Sequence, residues 1–206
     1  MTTVPKRWPS ETFVLIGGGP SLTPADVEAC RGRARVIAIN DAYRIAPFAD
    51  VLYACDQKWW NWHQGVPSFT GPKYSVASSR PVSWPDVQVL QHTGYTGLEL
   101  EPTGLRTGRN SGYQAINLAV HLGAARILLL GYDMASNPGG SSHWFGEHPD
   151  RQPSPYAAMR ESFDSLVEPL ASVGVTVINC SRRTALTAFP CADLEDELAR
   201  LQQVAA

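Results

Sequence analysis

Two histidines and a glutamate fall within one short segment, Ser142-His143-Trp144-Phe145-Gly146-Glu147-His148. Imidazole titrates near neutral pH, so a histidine beside an electrophilic carbon can take the proton of an attacking hydroxyl. The same trio could hold a metal ion, but the sequence shows neither a further ligand nor an outer shell for one. The blandest alternative is a solvated loop histidine. A second chemical feature is Gly17-Gly18-Gly19-Pro20-Ser21, which is not a full G-x-G-x-x-G fingerprint because proline and serine follow the third glycine. Glycines after a buried strand let main-chain N–H groups approach an anionic or ribose-bearing ligand, although a tight turn without a ligand would read the same way.

Further polar residues close other apolar runs. Asn40 and Asp56 suit hydrogen bonding to a base or ribose, or the capping of a turn or helix. Arg109-Asn110-Ser111-Gly112 sets a cation, an amide and a hydroxyl at a predicted helix start, a natural seat for phosphate; as an N-cap alone Asn110 would already be explained. Tyr132 and Asp133 end another run. Trp59, Trp60 and Trp62 cannot all face one side of a helix, so they divide between core and surface, where a contact between copies or a stacking platform for a sugar or base are the options.

The elements that must position these groups alternate. Thr12–Ile16, Arg35–Asn40, Asp50–Asp56, Arg126–Leu130 and Val175–Asn179 read as buried strands, with weaker strand signals at Lys73–Ala77 and Val87–Gln91 in a Pro-, Gly- and Ser-rich stretch over 66–108. Helices are predicted from Thr23 (N-cap) and Pro24 (first position), from Asn110 to a stop at Gly123, over Ala157–Val173 and over Ala192–Leu201. Strands alternating with helices predict an α/β fold: a single Rossmann-like domain over 1–206, with a mainly parallel sheet and helices on both faces. Ligands of such sheets lie outside the carboxyl ends of the strands, where this chain keeps its polar residues. Residues 135–155 lack periodicity and are long enough for a lid-like loop.

Composition narrows the classes. The chain has 206 residues, 44% hydrophobic and 17% charged, a globular balance suited to one large core. A net charge of −2 gives no footprint for non-specific nucleic-acid or anionic-membrane binding. Apolar runs such as Ile127–Leu130 are strand-sized, well short of the roughly 18 residues of a membrane span. The first ten residues have no apolar core of a secretory signal, and Cys30, Cys55, Cys180 and Cys191 form no C-x-x-C pair, so a reduced, cytoplasmic protein is expected.

Taken in order, Val14 to Leu22, Ile39-Asn40-Asp41, Asn110-Ser111-Gly112, Gly131-Tyr132-Asp133-Met134, His143 to His148, Val177 to Ser181 and Thr184-Ala185-Leu186 make a series that resembles the bacterial lipooligosaccharide sialyltransferases of glycosyltransferase family 42. The glycine-proline-serine turn alone is also shared with 6-hydroxymethylpterin diphosphokinase-like proteins. The resemblance implies a CMP-linked sugar donor and inverting, metal-independent transfer with no cofactor. Carried over by position, Gly18, Asn40, Asp56, Asn110 and Ser111 would contact the nucleotide and His148 would be the general base, with His143 the fallback. The chain departs from the family at Gly18 and Asp56, where the family has asparagine, and in the extra Glu147. The family's tyrosine pair at the leaving phosphate is not reproduced, since Met134 lies near the first position; Tyr132, Tyr156, Arg109, Arg182 or Arg183 are substitutes.

The expected activity is therefore transfer of a sugar from a nucleotide donor to a hydroxyl of a glycan or other acceptor, a modified DNA base being chemically admissible, by a chain that could associate with copies of itself. Two other classes fit the glycine turn. One is diphosphoryl or phosphoryl transfer to a pterin-like molecule, with Mg²⁺ held by Asp56 and Asp133. The other is a non-catalytic nucleotide-binding module.

Overall fold

Continuous apolar runs without polar alternation need cover on both sides, and a parallel sheet flanked by helices supplies it. The computed structural model describes residues 2–78, 82–149 and 154–204. Its strands are β1 (Glu11–Ile16), β2 (Arg35–Ile39), β3 (Val51–Tyr53), β4 (Lys73–Val76), β5 (Val87–Gly94), β6 (Gly104–Arg106), β7 (Ala124–Leu130) and β8 (Thr176–Asn179). They form one eight-stranded sheet in the order β6-β5-β4-β3-β2-β1-β7-β8, and every neighbouring pair is parallel.

The helices are α1 (Pro24–Ala29), α2 (Gln57–Trp62), α3 (Ser111–Leu122), α4 (Tyr156–Ser172) and α5 (Leu194–Val204). Successive side chains of β1 serve opposite faces, as strand geometry requires. Phe13 and Leu15 pack with Ile116 of α3 and with Phe163 and Leu166 of α4. Val14 and Ile16 join Val27 of α1, Trp59 and Trp60 of α2, and Leu198 of α5. Each such side chain, once fully buried, contributes about 1.5–3 kcal/mol of transfer free energy. The α/β fold with helices on both faces is thus the one expected.

Local signals set the helix ends. Thr23 caps α1 through a reciprocal capping box with Asp26, and Pro24 occupies the first turn. The side chain of Asn110 accepts from the Tyr113 N–H at the start of α3, and left-handed Gly123 (φ 111°) ends it. Some boundaries differ from expectation. β6 lies outside the predicted strands, because a three-residue strand containing glycine carries almost no periodic signal, and β5 continues through polar residues to Gly94. The third strand stops at Tyr53, and Asn40 opens a short 3-10 turn, Asn40–Arg44, instead of ending a strand. Part of the loop expected as a lid, residues 150–153, lies outside the described residues.

Strand order fixes where a ligand can sit. After β1 the chain steps through β2 to β6 on one side and returns to β7 on the other, so the order in which strands are added reverses between the parallel neighbours β1 and β7. Crevices form at the carboxyl ends of strands at such a switch point.

A candidate active-site cleft at the carboxyl ends of the strands

The turn after β1 is stitched to the turn after β7. Gly17 N–H donates to the Leu130 carbonyl and Gly19 N–H to the Gly131 carbonyl, both at 2.8 Å. Side chains cannot fit there: a Cβ on Gly17 would stand 2.8 Å from the Gly131 carbonyl oxygen, and one on Gly19 only 2.6 Å from it. Asp133 locks the same junction. Its Oδ2 accepts from the Ser21 N–H at 2.8 Å and its Oδ1 from the Ser21 hydroxyl at 2.9 Å. Burial raises the Asp133 carboxyl above the usual range, against the opposing effect of these bonds from Ser21.

In front of this junction lies a cleft of about 340 Å³. One wall is the glycine turn, Gly17 to Pro20; a second is Asn40, Cys55 and Asp56 from the ends of β2 and β3; a third is Arg109 to Gly112 at the start of α3; the fourth carries His143, Phe145, His148 and Tyr156. The twelve residues of α3 turn their N-terminus toward the cleft, where unpaired N–H groups and the helix dipole favour an anion. Among the described residues Arg109 is the one arginine or lysine on the cleft wall. Three wall residues, Asn40, Arg109 and Met134, hold left-handed backbone at φ 51°, 61° and 49°. Asparagine tolerates that conformation, but arginine and methionine store strain there, a pattern that clusters at functional sites.

The histidine segment folds over the glycine turn. Trp144 N–H donates to the Gly18 carbonyl at 3.1 Å, and His143 bridges Gly146 in a tight hairpin. His143 stacks on Phe145 (centroids 4.9 Å apart) and meets His148 edge-on at 4.7 Å. Burial holds the His143 imidazole below the ordinary histidine range, its Nδ1 being enclosed without a hydrogen-bond partner. His148 is 27% exposed, stacks on Trp62 (6.0 Å, 27°) and points Nδ1 toward Asp41 Oδ2 at 4.0 Å.

Most residues expected at the site meet there: Gly17, Gly18, Gly19, Pro20, Asn40, Asp56, Arg109, Asn110, Ser111, Gly112, His143, His148 and Tyr156 all line the cleft. Asn110 and Asp56 differ in their local roles. Asn110 is indeed an N-cap, whereas Asp56 occupies the cap position of α2 without a side-chain capping bond. Five other expected residues lie off the cleft wall or are engaged elsewhere. Asp133 and Ser21 are absent from the cleft wall because each satisfies the other behind it. Arg182, expected at a phosphate, instead makes a bidentate ion pair with Asp26 away from the cleft (2.7 and 2.8 Å). Tyr132 reaches the cleft wall, but its buried hydroxyl donates to the Gly112 carbonyl at 3.0 Å and is not available to a phosphate. Arg183 also lies off the wall, its N–H donating to the Ser21 hydroxyl.

Two residues at the site escaped the sequence reading as individual candidates. Cys55 lines the cleft and accepts from the Ser111 hydroxyl at 3.2 Å, with burial pushing its thiol up. Asp41 is buried behind His148. The one signal for Asp41 in the sequence is a carboxylate next to Asn40, and of its partners Arg44 shares its turn while Trp59, His63 and His148 are remote in the chain. Of the tryptophans, Trp59 and Trp60 are core and Trp62 is 38% exposed, the division their spacing requires.

No protein-family model matches the chain, and no curated protein matches it. Among solved structures, the sialyltransferase CstII from Campylobacter jejuni, determined in complex with a substrate analogue, cytidine-5'-monophosphate, aligns over 89% of this chain and 85% of that chain, with a TM-score of 0.51 and 12% identity. The chain therefore has a sialyltransferase-like fold; at that identity the likeness concerns the fold alone.

Proposed function

We propose that this chain is a glycosyltransferase that moves a sugar from a nucleotide donor, CMP-linked in the first instance, to an acceptor hydroxyl with inversion and without a metal. The observation that carries the reading is that the histidine segment is tied by Trp144 to Gly18, so His143 and His148 share one cleft with the glycine turn and the N-terminus of α3. The nucleotide would lie along Gly17–Pro20, Asn40 and Asp56, with its phosphate toward Arg109 and the first N–H groups of α3. His148 Nε2 takes the acceptor proton as the acceptor oxygen bonds to the anomeric carbon. The bond from that carbon to the phosphate oxygen breaks on the opposite side, its electron pair leaving with the phosphate. Donors aimed at the departing charge lower the barrier.

His148 suits the base role better than His143. A carboxylate faces the Nδ1 of His148, whereas His143 packs against Phe145 and the glycine turn, with burial opposing its protonation. The phosphotransfer alternative loses support from Asp133, whose two oxygens are taken by Ser21, so Asp56 and Asp133 do not face one another across the cleft.

The test is hydrolysis or transfer of CMP-linked sugars by the purified protein and its His148→Ala variant, beside a thermal-shift panel of CMP, UMP, GMP and ATP with and without EDTA. Loss of about 10²- to 10⁴-fold in His148→Ala, the usual contribution of a general base, is expected. Full activity in that variant overturns the assignment. Activity abolished by EDTA favours phosphotransfer, and tight nucleotide binding without turnover favours a binding module.

A further inference from the structure

The geometry points to Asp41 as the positioning residue that orients His148 and steadies its charge, an inference that rests on His148 being the base. Asp41 follows Asn40 in the 3-10 turn after β2 and is 4% exposed. A buried carboxylate is costly unless its oxygens are answered. Trp59 Nε1–H donates to Oδ2 at 2.9 Å, while Arg44 Nη1 stands 3.4 Å and His63 Nε2 3.6 Å from Oδ1. The remaining neighbour is His148 Nδ1, 4.0 Å from Oδ2. Contacts of that length in catalytic sites tighten as the reacting complex forms.

This placement decides which ring nitrogen does what. A carboxylate facing Nδ1 favours the tautomer protonated there and leaves the Nε2 lone pair for the acceptor. Trp62 stacks on one face of the same ring, so the imidazole has a carboxylate near one edge and an indole on one face. Once His148 has taken the acceptor proton, its positive charge lies beside the Asp41 carboxylate. His63 does not compete strongly for that carboxylate. Burial lowers its proton affinity more than Asp41 raises it, and its Nδ1 meets the Tyr43 hydroxyl at 2.9 Å. Among the described residues, Arg44, Tyr43, His63 and His143 stand around the Asp41–His148 pair, with Glu147 next to His148 in the chain.

Histidine-labelled protein, titrated by NMR, tests the arrangement without any substrate. Asp41→Asn keeps an acceptor for Trp59 and removes the charge, so the His148 midpoint should fall. Arg44→Ala, at a side chain 51% exposed, removes the opposing cation and should raise it. The acid limb of the pH profile for donor hydrolysis should move in the same direction in each variant, with the donor KM unchanged. If Asp41→Asn does not fold, the nitrogen-15 shifts of neutral His148 in the unaltered protein decide: protonation at Nδ1 supports the inference and protonation at Nε2 overturns it. An unmoved His148 midpoint in the folded variants overturns the inference. Midpoints that move as expected in a protein without donor hydrolysis uphold the coupling and reject the glycosyltransferase reading instead.

Discussion

The main-chain N–H of Trp144 donates to the carbonyl of Gly18, joining the middle of the histidine segment to the turn that ends the first strand. Gly18 also lies under His143, close enough that a Cβ would meet that ring's Cδ2 at 3.1 Å and Phe145 Cε1 at 3.7 Å. The turn and the segment are therefore one unit in the cleft, and a change in the turn should be felt at the histidines.

Two neighbouring glycine substitutions should separate stability from site geometry. In Gly18→Ala the added methyl presses on the movable edge of a side chain, so stability should change little while CMP affinity falls. In Gly19→Ala it runs into Asp133 and the Gly131 carbonyl oxygen, the latter at 2.6 Å, so the junction between β1 and β7 must shift. Overpacking of that kind costs about 1–3 kcal/mol. Urea denaturation should place Gly19→Ala well below Gly18→Ala; equal midpoints would contradict the rigid junction.

Arg109 stands 5.6 Å from the Tyr95 ring and on the cleft wall at the start of α3. A charge-assisted bond to phosphate contributes about 1.5–3 kcal/mol, so Arg109→Ala should weaken CMP binding about ten- to hundredfold. Unfolding free energy without nucleotide should stay within about 0.5 kcal/mol of the parent protein, as for other surface changes. Calorimetric titration at two salt concentrations checks this, and equal affinity for CMP would remove Arg109 from the phosphate.

Acid should destabilise the fold in a defined window. Burial holds His63, His121 and His143 below the ordinary histidine range, so each stays neutral in the folded chain while the unfolded chain gains protons below about pH 6.5. Stability that is complete above that value is lost as pH falls toward the lower folded values. His121 offers the clearest probe, because it is buried with Nε2 2.9 Å from the Gly104 carbonyl oxygen and far along α3 from the cleft-facing end. His121→Gln removes a titrating group at that position and should flatten the dependence of Tm on pH between pH 7 and 5.5. A slope identical to the parent's would show that His121 carries none of it.

The sequence by itself determined the elements and the neighbourhood of the site. Apolar runs specify buried strands, and Thr23, Pro24, Asn110 and Gly123 specify helix ends, because these preferences act through bonds and contacts a few residues apart. Placing Gly17, Asn40, Asp56 and Ser111 on one cleft also follows from local order, since each ends a strand or begins a helix in a parallel sheet. Tertiary structure alone decided which polar groups face that cleft and which serve the scaffold. Asp133 meets Ser21 only because β7 lies beside β1, and Arg182 meets Asp26 only because the turn after β8 reaches α1. Asp41 meets His148 only because the segment after β7 folds back across the ends of β1 and β2. A carboxylate or guanidinium takes whichever opposite charge or donor the fold brings within a few ångströms, and that choice is made by strand order and crossovers, not by nearby residues in the chain.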